Sequence, residues 1–156
     1  MKRIITVFGF ASLALIIGAC GYNVSNPDDI LVGKYEVTSI EISGCDNPND
    51  NFSSSSKDFG CSIEGHYQTC NSITLELTND RAYILSRNTR TIDKRIGTVL
   101  NERQPLVGYY SFDGDQLRIC FNGNCNGAIW QLDDNYLHLN IQQANGCTET
   151  ILANKR

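Results

Sequence analysis

Apolar and polar residues alternate along most of this chain. Ile73, Leu75 and Leu77 alternate with Thr74, Glu76 and Thr78; Leu117, Ile119 and Phe121 with Gln116, Arg118 and Cys120; Leu137, Leu139 and Ile141 with His138, Asn140 and Gln142. A period of two puts one face in a core and the other in water, so each run predicts a half-buried strand. In the earliest such run Tyr35 and Val37 share one parity and Ile40 and Ile42 the other, which predicts a bulge at Thr38 and Ser39. No window carries a sustained helical period. Eight strands are expected, at about 33–43, 72–78, 81–88, within 96–112, 116–121, 126–132, 136–142 and 147–153. Asn79-Asp80, Asp113-Gly114-Asp115 and Asp133-Asp134-Asn135 supply the chemistry of tight hairpin turns. Strands running up and down in order place these turns at one end and every other connection at the opposite end. Closure removes the exposed edges of such a sheet, so the expected fold is all-β, an eight-stranded antiparallel up-and-down barrel. The connection from Gly44 to Asn71 is long for a compact domain, and its Ser53 to Ser56 run is read as a loop lying over the barrel end as a lid.

The chain has 156 residues, seven of them cysteine, and a formal charge of −4. An acidic chain without a basic arm excludes nucleic acid as a natural partner. Cys20 sits apart near the N-terminus, which leaves Cys45, Cys61, Cys70, Cys120, Cys125 and Cys147, an even set suited to three disulfides in an oxidising compartment. On the barrel all six gather at the end opposite the tight turns. Cys120 and Cys125 lie out of phase with the inward residues Ile119, Phe121 and Ala128, so they are expected to pair with each other across a short turn. Cys61 with Cys70 and Cys45 with Cys147 is favoured for the rest, against Cys45 with Cys70 and Cys61 with Cys147. No metal site is expected: there is no Cys-x-x-Cys pair, and the Asp-rich turns lack the ligand spacing of a calcium loop.

The N-terminus has a charged Lys2-Arg3 start, an apolar run from Ile4 to Ile16, and Ile17-Gly18-Ala19-Cys20. That tetrapeptide resembles the lipobox of bacterial lipoproteins, which implies cleavage before Cys20 and acylation of Cys20. Residues 1–19 are then a signal peptide, 20–30 an acylated cysteine and tether, and 31–156 a single barrel domain. The processed chain has 137 residues, with 11 basic against 17 acidic side chains and a charge of −6. Gly21 is no Asp-type inner-membrane retention cue, so the expected address is the cell envelope, in the outer membrane through the lipid anchor.

Leu31-Val32-Gly33-Lys34-Tyr35-Glu36-Val37 resembles the L-x-G-x-W/Y-x-V opening of lipocalin-like domains found in many bacterial lipoproteins. Gly108-Tyr109-Tyr110-Ser111-Phe112-Asp113-Gly114-Asp115-Gln116-Leu117 matches their later G-x-Y-x-x-x-G-x-x-L run. Tyr35 replaces the usual Trp at the barrel floor, and the cysteine-rich insertion after the opening strand is longer than in simple members. The resemblance implies a ligand-binding barrel.

Neither a nucleophile elbow nor a Gly-rich phosphate loop is present, and the two histidines, His66 and His138, match no catalytic constellation. The chain is therefore read as no enzyme, with no cofactor. Tyr35, Val37, Leu75, Leu117, Ile119, Trp130 and Leu139 are the candidate cavity lining, by parity and apolar character. Arg87, Arg90, Lys94 and Arg95 belong to a basic stretch on an acidic protein and are the candidate rim of the mouth. The expected function is a lipid-anchored binding protein for a small apolar or amphipathic ligand. The alternative is a protein–protein interaction module of the lysozyme-inhibitor or adhesin kind, although Ser43-Gly44 followed by Cys45-Asp46-Asn47 departs from the S-G-x-x-Y signature of those inhibitors.

Overall fold

The computed structural model describes residues 27–55, 59–113 and 116–156; Cys20 and the signal and tether segments before Pro27 lie outside the described residues. A short helix, α1 (Pro27–Leu31), precedes ten strands. These are β1 (Gly33–Ser43), β2 (Phe52–Ser55), β3 (Cys61–Glu64), β4 (Tyr67–Leu77), β5 (Ala82–Asp93), β6 (Thr98–Asp113), β7 (Gln116–Phe121), β8 (Asn124–Asp133), β9 (Tyr136–Gln142) and β10 (Thr148–Lys155). Strands β4 to β10 pair in chain order, β10 pairs with β1, and β1 pairs back to β4, so eight antiparallel strands close into a barrel. The architecture is consistent with a lipocalin-like fold.

Alternation explains the walls. Leu75, Leu77, Leu117, Ile119, Leu137, Leu139, Ile141, Ile151 and Ala153 point inward and are buried, while their neighbours along each strand face out. The register of β1 against β10 slips between Val37 and Ser39, the bulge that the parity change in the sequence requires. It lets Tyr35, Val37 and Ile40 all reach the core.

At the lower end, where the hairpin turns gather, α1 folds under the barrel. Leu31 is fully buried, the Tyr35 hydroxyl donates to its carbonyl at 2.6 Å, and Lys155 Nζ donates to the Ile30 carbonyl at 3.1 Å. Burial pushes the Tyr35 phenol up to about 12, with Tyr110 adding to the shift. The distal part of the expected tether is thus a plug.

Closure between β1 and β4 covers only the lower half, Gly33 to Glu36 against Leu77 to Thr74. Above that, β1 takes β2 as its neighbour and β4 takes β3. The connection after β1 is therefore not the structureless lid expected from its composition: it supplies two short strands that border an opening in the upper wall. Disulfides Cys45–Cys147, Cys61–Cys70 and Cys120–Cys125 staple this upper end, in the pairing favoured by the spacing. Cys120 and Cys125 face each other directly, because β8 begins at Asn124 and the turn is only Asn122-Gly123, both with positive φ.

Candidate functional site

The proposed cavity residues form a packed interior. Tyr35, Val37, Leu75, Leu117, Ile119 and Leu139 are each 3% exposed or less, and Tyr83 and Tyr110 fill the space between the walls. The Tyr110 hydroxyl donates to the Thr78 carbonyl at 2.8 Å, and the Tyr83 ring meets Phe121 edge-on at 5.2 Å. Trp130 is half-buried and packs edge-on against Phe112. Concavities lie along β1, β2, β4, β5 and β6, and one of them is bordered by Tyr35 and Leu75 of the proposed lining.

The proposed basic rim is not one rim. Strand β5 continues five residues past the expected end at 88, and it carries Arg87 and Arg90, three apart, on opposite faces. Arg87 faces a polar concavity of about 410 Å³ with Ser54, Asn71, Thr89 and Gln104. Lys94 and Arg95 sit in the turn between β5 and β6. There Arg95 binds Asp93 at 3.3 Å; this hydrogen-bonded guanidinium holds the Asp93 carboxyl below its usual range. The Lys94 N–H donates to the His66 carbonyl at 2.9 Å, which ties the β3–β4 turn to that tip.

The long β5–β6 hairpin is the feature that composition hides. Strand β6 has 16 residues, but its neighbour β7 has six and pairs only with Tyr109 to Asp113. At about 3.3 Å per residue, the unmatched part of β6 extends roughly 30 Å along the strand. The Tyr110 N–H donates to the Arg81 carbonyl, so even-numbered residues of β6 bond toward β5 and odd-numbered ones face the other edge. Above Tyr109 that edge has no strand beside it among the described residues. The ribbon exposes Val99 and Val107 on one face and Leu100 and Leu106 on the other, with exposures of 42, 59, 58 and 52%. Pro105 stands on the open edge, where its missing N–H breaks no ladder bond and discourages an added strand.

A carboxyl group also faces inward. Glu149 shares the parity of Ile151 and Ala153, and Gln143 Nε2 donates to it at 3.1 Å. Burial raises its carboxyl, partly offset by that hydrogen bond. A carboxyl raised in the folded state contributes stability that is full below pH 4.5, its ordinary value, and is lost as pH climbs through the raised one. Glu149→Gln is therefore expected to raise the melting temperature at pH 8 and to lose that advantage toward pH 4, measured by thermal unfolding across pH. An equal gain at both pH values would contradict the burial argument.

Among the described residues no three His, Cys, Asp or Glu groups converge. Ser86 and Asn88 fall in the strand expected at 81–88 and Arg103 in the basic stretch, but they were not expected as site residues, because only the register of β5 against β6 brings them together. Comparisons with protein-family models, with curated proteins and with solved structures find no match to this chain.

Proposed function

We propose that this is a lipid-anchored protein of the cell envelope, acylated at Cys20 and built on a lipocalin-like barrel, that works as a protein–protein interaction module through its upper end. The observation that carries this reading is the β5–β6 ribbon, which keeps four large apolar side chains in water on a strand paired along one edge only among the described residues. Exposed apolar surface of this kind costs solubility and marks contact sites. The filled interior supports the same reading over a small apolar ligand held inside the barrel. Geometry also favours an outward orientation. Helix α1 begins at the lower end, and residues 20 to 27 reach at most about 25 Å, so an acylated Cys20 keeps that end near the bilayer and directs the ribbon away from it.

The test uses the full acylated chain in its own envelope. A photo-crosslinking residue at Leu100 or Val107 is expected to yield a discrete protein adduct, while the same residue at Ile129, 71% exposed on the barrel wall, yields none. Leu106→Asp should abolish the adduct formed from position 100. A small-molecule mass retained by the intact barrel in native mass spectrometry, with no discrete adduct, would restore the ligand-in-barrel reading.

A further inference from the structure

The outer face of β4, β5 and β6, which also carries Val99 and Val107 of the ribbon, has a second, polar character. Cross-strand register sets three rows on that face. Thr74, Ser86 and Pro105 form the lowest, Ser72, Asn88 and Arg103 the middle, and Cys70, Arg90 and Asn101 the highest. Because the upper halves of these strands leave the barrel instead of closing on β1, the face is hollow. Concavities of about 320 and 410 Å³ meet there and share Ser72, Asn88 and Arg103.

The polar groups of this trough are held in place from below. Ser86 is fully buried, and its hydroxyl accepts a hydrogen bond from Arg103 Nε at 3.0 Å. The guanidinium is thereby oriented, yet its two terminal nitrogens make no hydrogen bond among the described residues. Asn88 Nδ2 donates to Thr74 Oγ1 and to the Ser86 carbonyl, and its Oδ1 accepts no hydrogen bond among the described residues. Arg90 stands diagonally from Arg103 on the same face and has no ion pair among the described residues. Register puts the Glu102 side chain on the opposite face, although the residue borders the 410 Å³ concavity, and at the lower end of the trough Glu76 and Glu36 are engaged by Lys34 and Arg156. Two like charges thus stand on one face of neighbouring strands, neither of them ion-paired among the described residues, an arrangement that is unfavourable alone and relieved by an anion.

We propose that this trough binds an oxyanion, the carboxylate or phosphate ester of a polar, hydroxylated small molecule, with Arg103 as its anchor. The free pair of guanidinium nitrogens matches two oxygens of such a group, Arg90 supplies the second charge, and Asn88 Oδ1 with the Ser72 hydroxyl receives ligand hydroxyls. Ser86 is a positioning residue: it aims Arg103 and does not touch the ligand. The site does not depend on the interaction role of the ribbon.

Titration calorimetry of the full chain in detergent micelles with glucuronate, glucose 6-phosphate, inorganic phosphate and neutral glucose tests this. At least one of the three anions should bind saturably, more weakly as salt is added, and glucose should not. Preference for glucuronate or for the phosphates tells the carboxylate source from the phosphate source. Arg103→Gln is expected to weaken binding about tenfold, the loss of one charge-assisted bidentate contact. Ser86→Ala should weaken it with the β-sheet circular dichroism retained. Arg118→Gln, which removes an exposed partner of Asp113 on the barrel wall, should change nothing. Leu106→Asp should also leave anion binding intact, which separates this proposal from the interaction reading. Absence of saturable binding by all three anions, or equal binding by Arg103→Gln, would overturn it.

Discussion

Replacing Cys45 and Cys147 together by serine is expected to lower the unfolding free energy by about 4 to 5 kcal/mol, the loop-entropy value for a closed loop of roughly 100 residues. The bond spans 102 positions, almost the whole barrel. It joins the end of β1 to the start of β10 just beyond their last pair, Ser43 and Thr148. That seam brings the first and last barrel strands together, so its closure is the most expensive in chain entropy. The other two bonds close loops of 9 and 5 positions and carry smaller entropic gains, about 2 to 3 kcal/mol each. Urea unfolding of the three double-serine variants should rank them in that order. If loss of Cys120–Cys125 hurt more than loss of Cys45–Cys147, restriction of the unfolded chain would not be what these bonds supply.

How much of this was legible in the sequence follows from where one face of a strand is buried. Strands β1, β7 and β9 begin and end where alternation put them, because each has a dry and a wet face over its full length. The bulge in β1 was legible for the same reason. Strands β2 and β3 were not, since Phe52–Ser55 and Cys61–Glu64 are exposed at seven of their eight positions and leave no period in the residue pattern. The upper β5–β6 ribbon fails the same test: from Thr98 to Val107 every residue of β6 is exposed, so backbone pairing with β5 holds it as a strand, not a buried side. The oxyanion trough was not legible either, because it depends on the register that sets Ser72, Asn88 and Arg103 side by side, which alternation within each strand does not fix. The Cys120–Cys125 pair was accessible because turn length and face parity constrain it independently of burial, whereas Cys61–Cys70 and Cys45–Cys147 were favoured from strand order with the swapped pairing still open.

Gly108 marks the point where β6 leaves the barrel wall, and Gly108→Ala is expected to destabilise the fold by about 3 kcal/mol, at the upper end of overpacking effects. A Cβ built there would collide with the carbonyl oxygen of Cys120 and lie 2.6 Å from a ring carbon of Phe121. Neither neighbour can yield freely. The carbonyl belongs to the backbone of β7 and is tied down by the Cys120–Cys125 bond, and the Phe121 ring packs against buried Tyr83. Relief requires β6 to swing outward and loosen its pairing with β7 from Tyr109 to Asp113. Gly127 on β8 is the matched control: it lies in a strand with nothing within 4 Å of an added Cβ, so Gly127→Ala should be neutral or slightly stabilising. Denaturant midpoints of the two alanine variants, with amide exchange read at Tyr109 to Asp113, decide the matter. Equal midpoints would mean that β6 can shift at no cost, and the ribbon would then lack the fixed root from which its exposed face is presented.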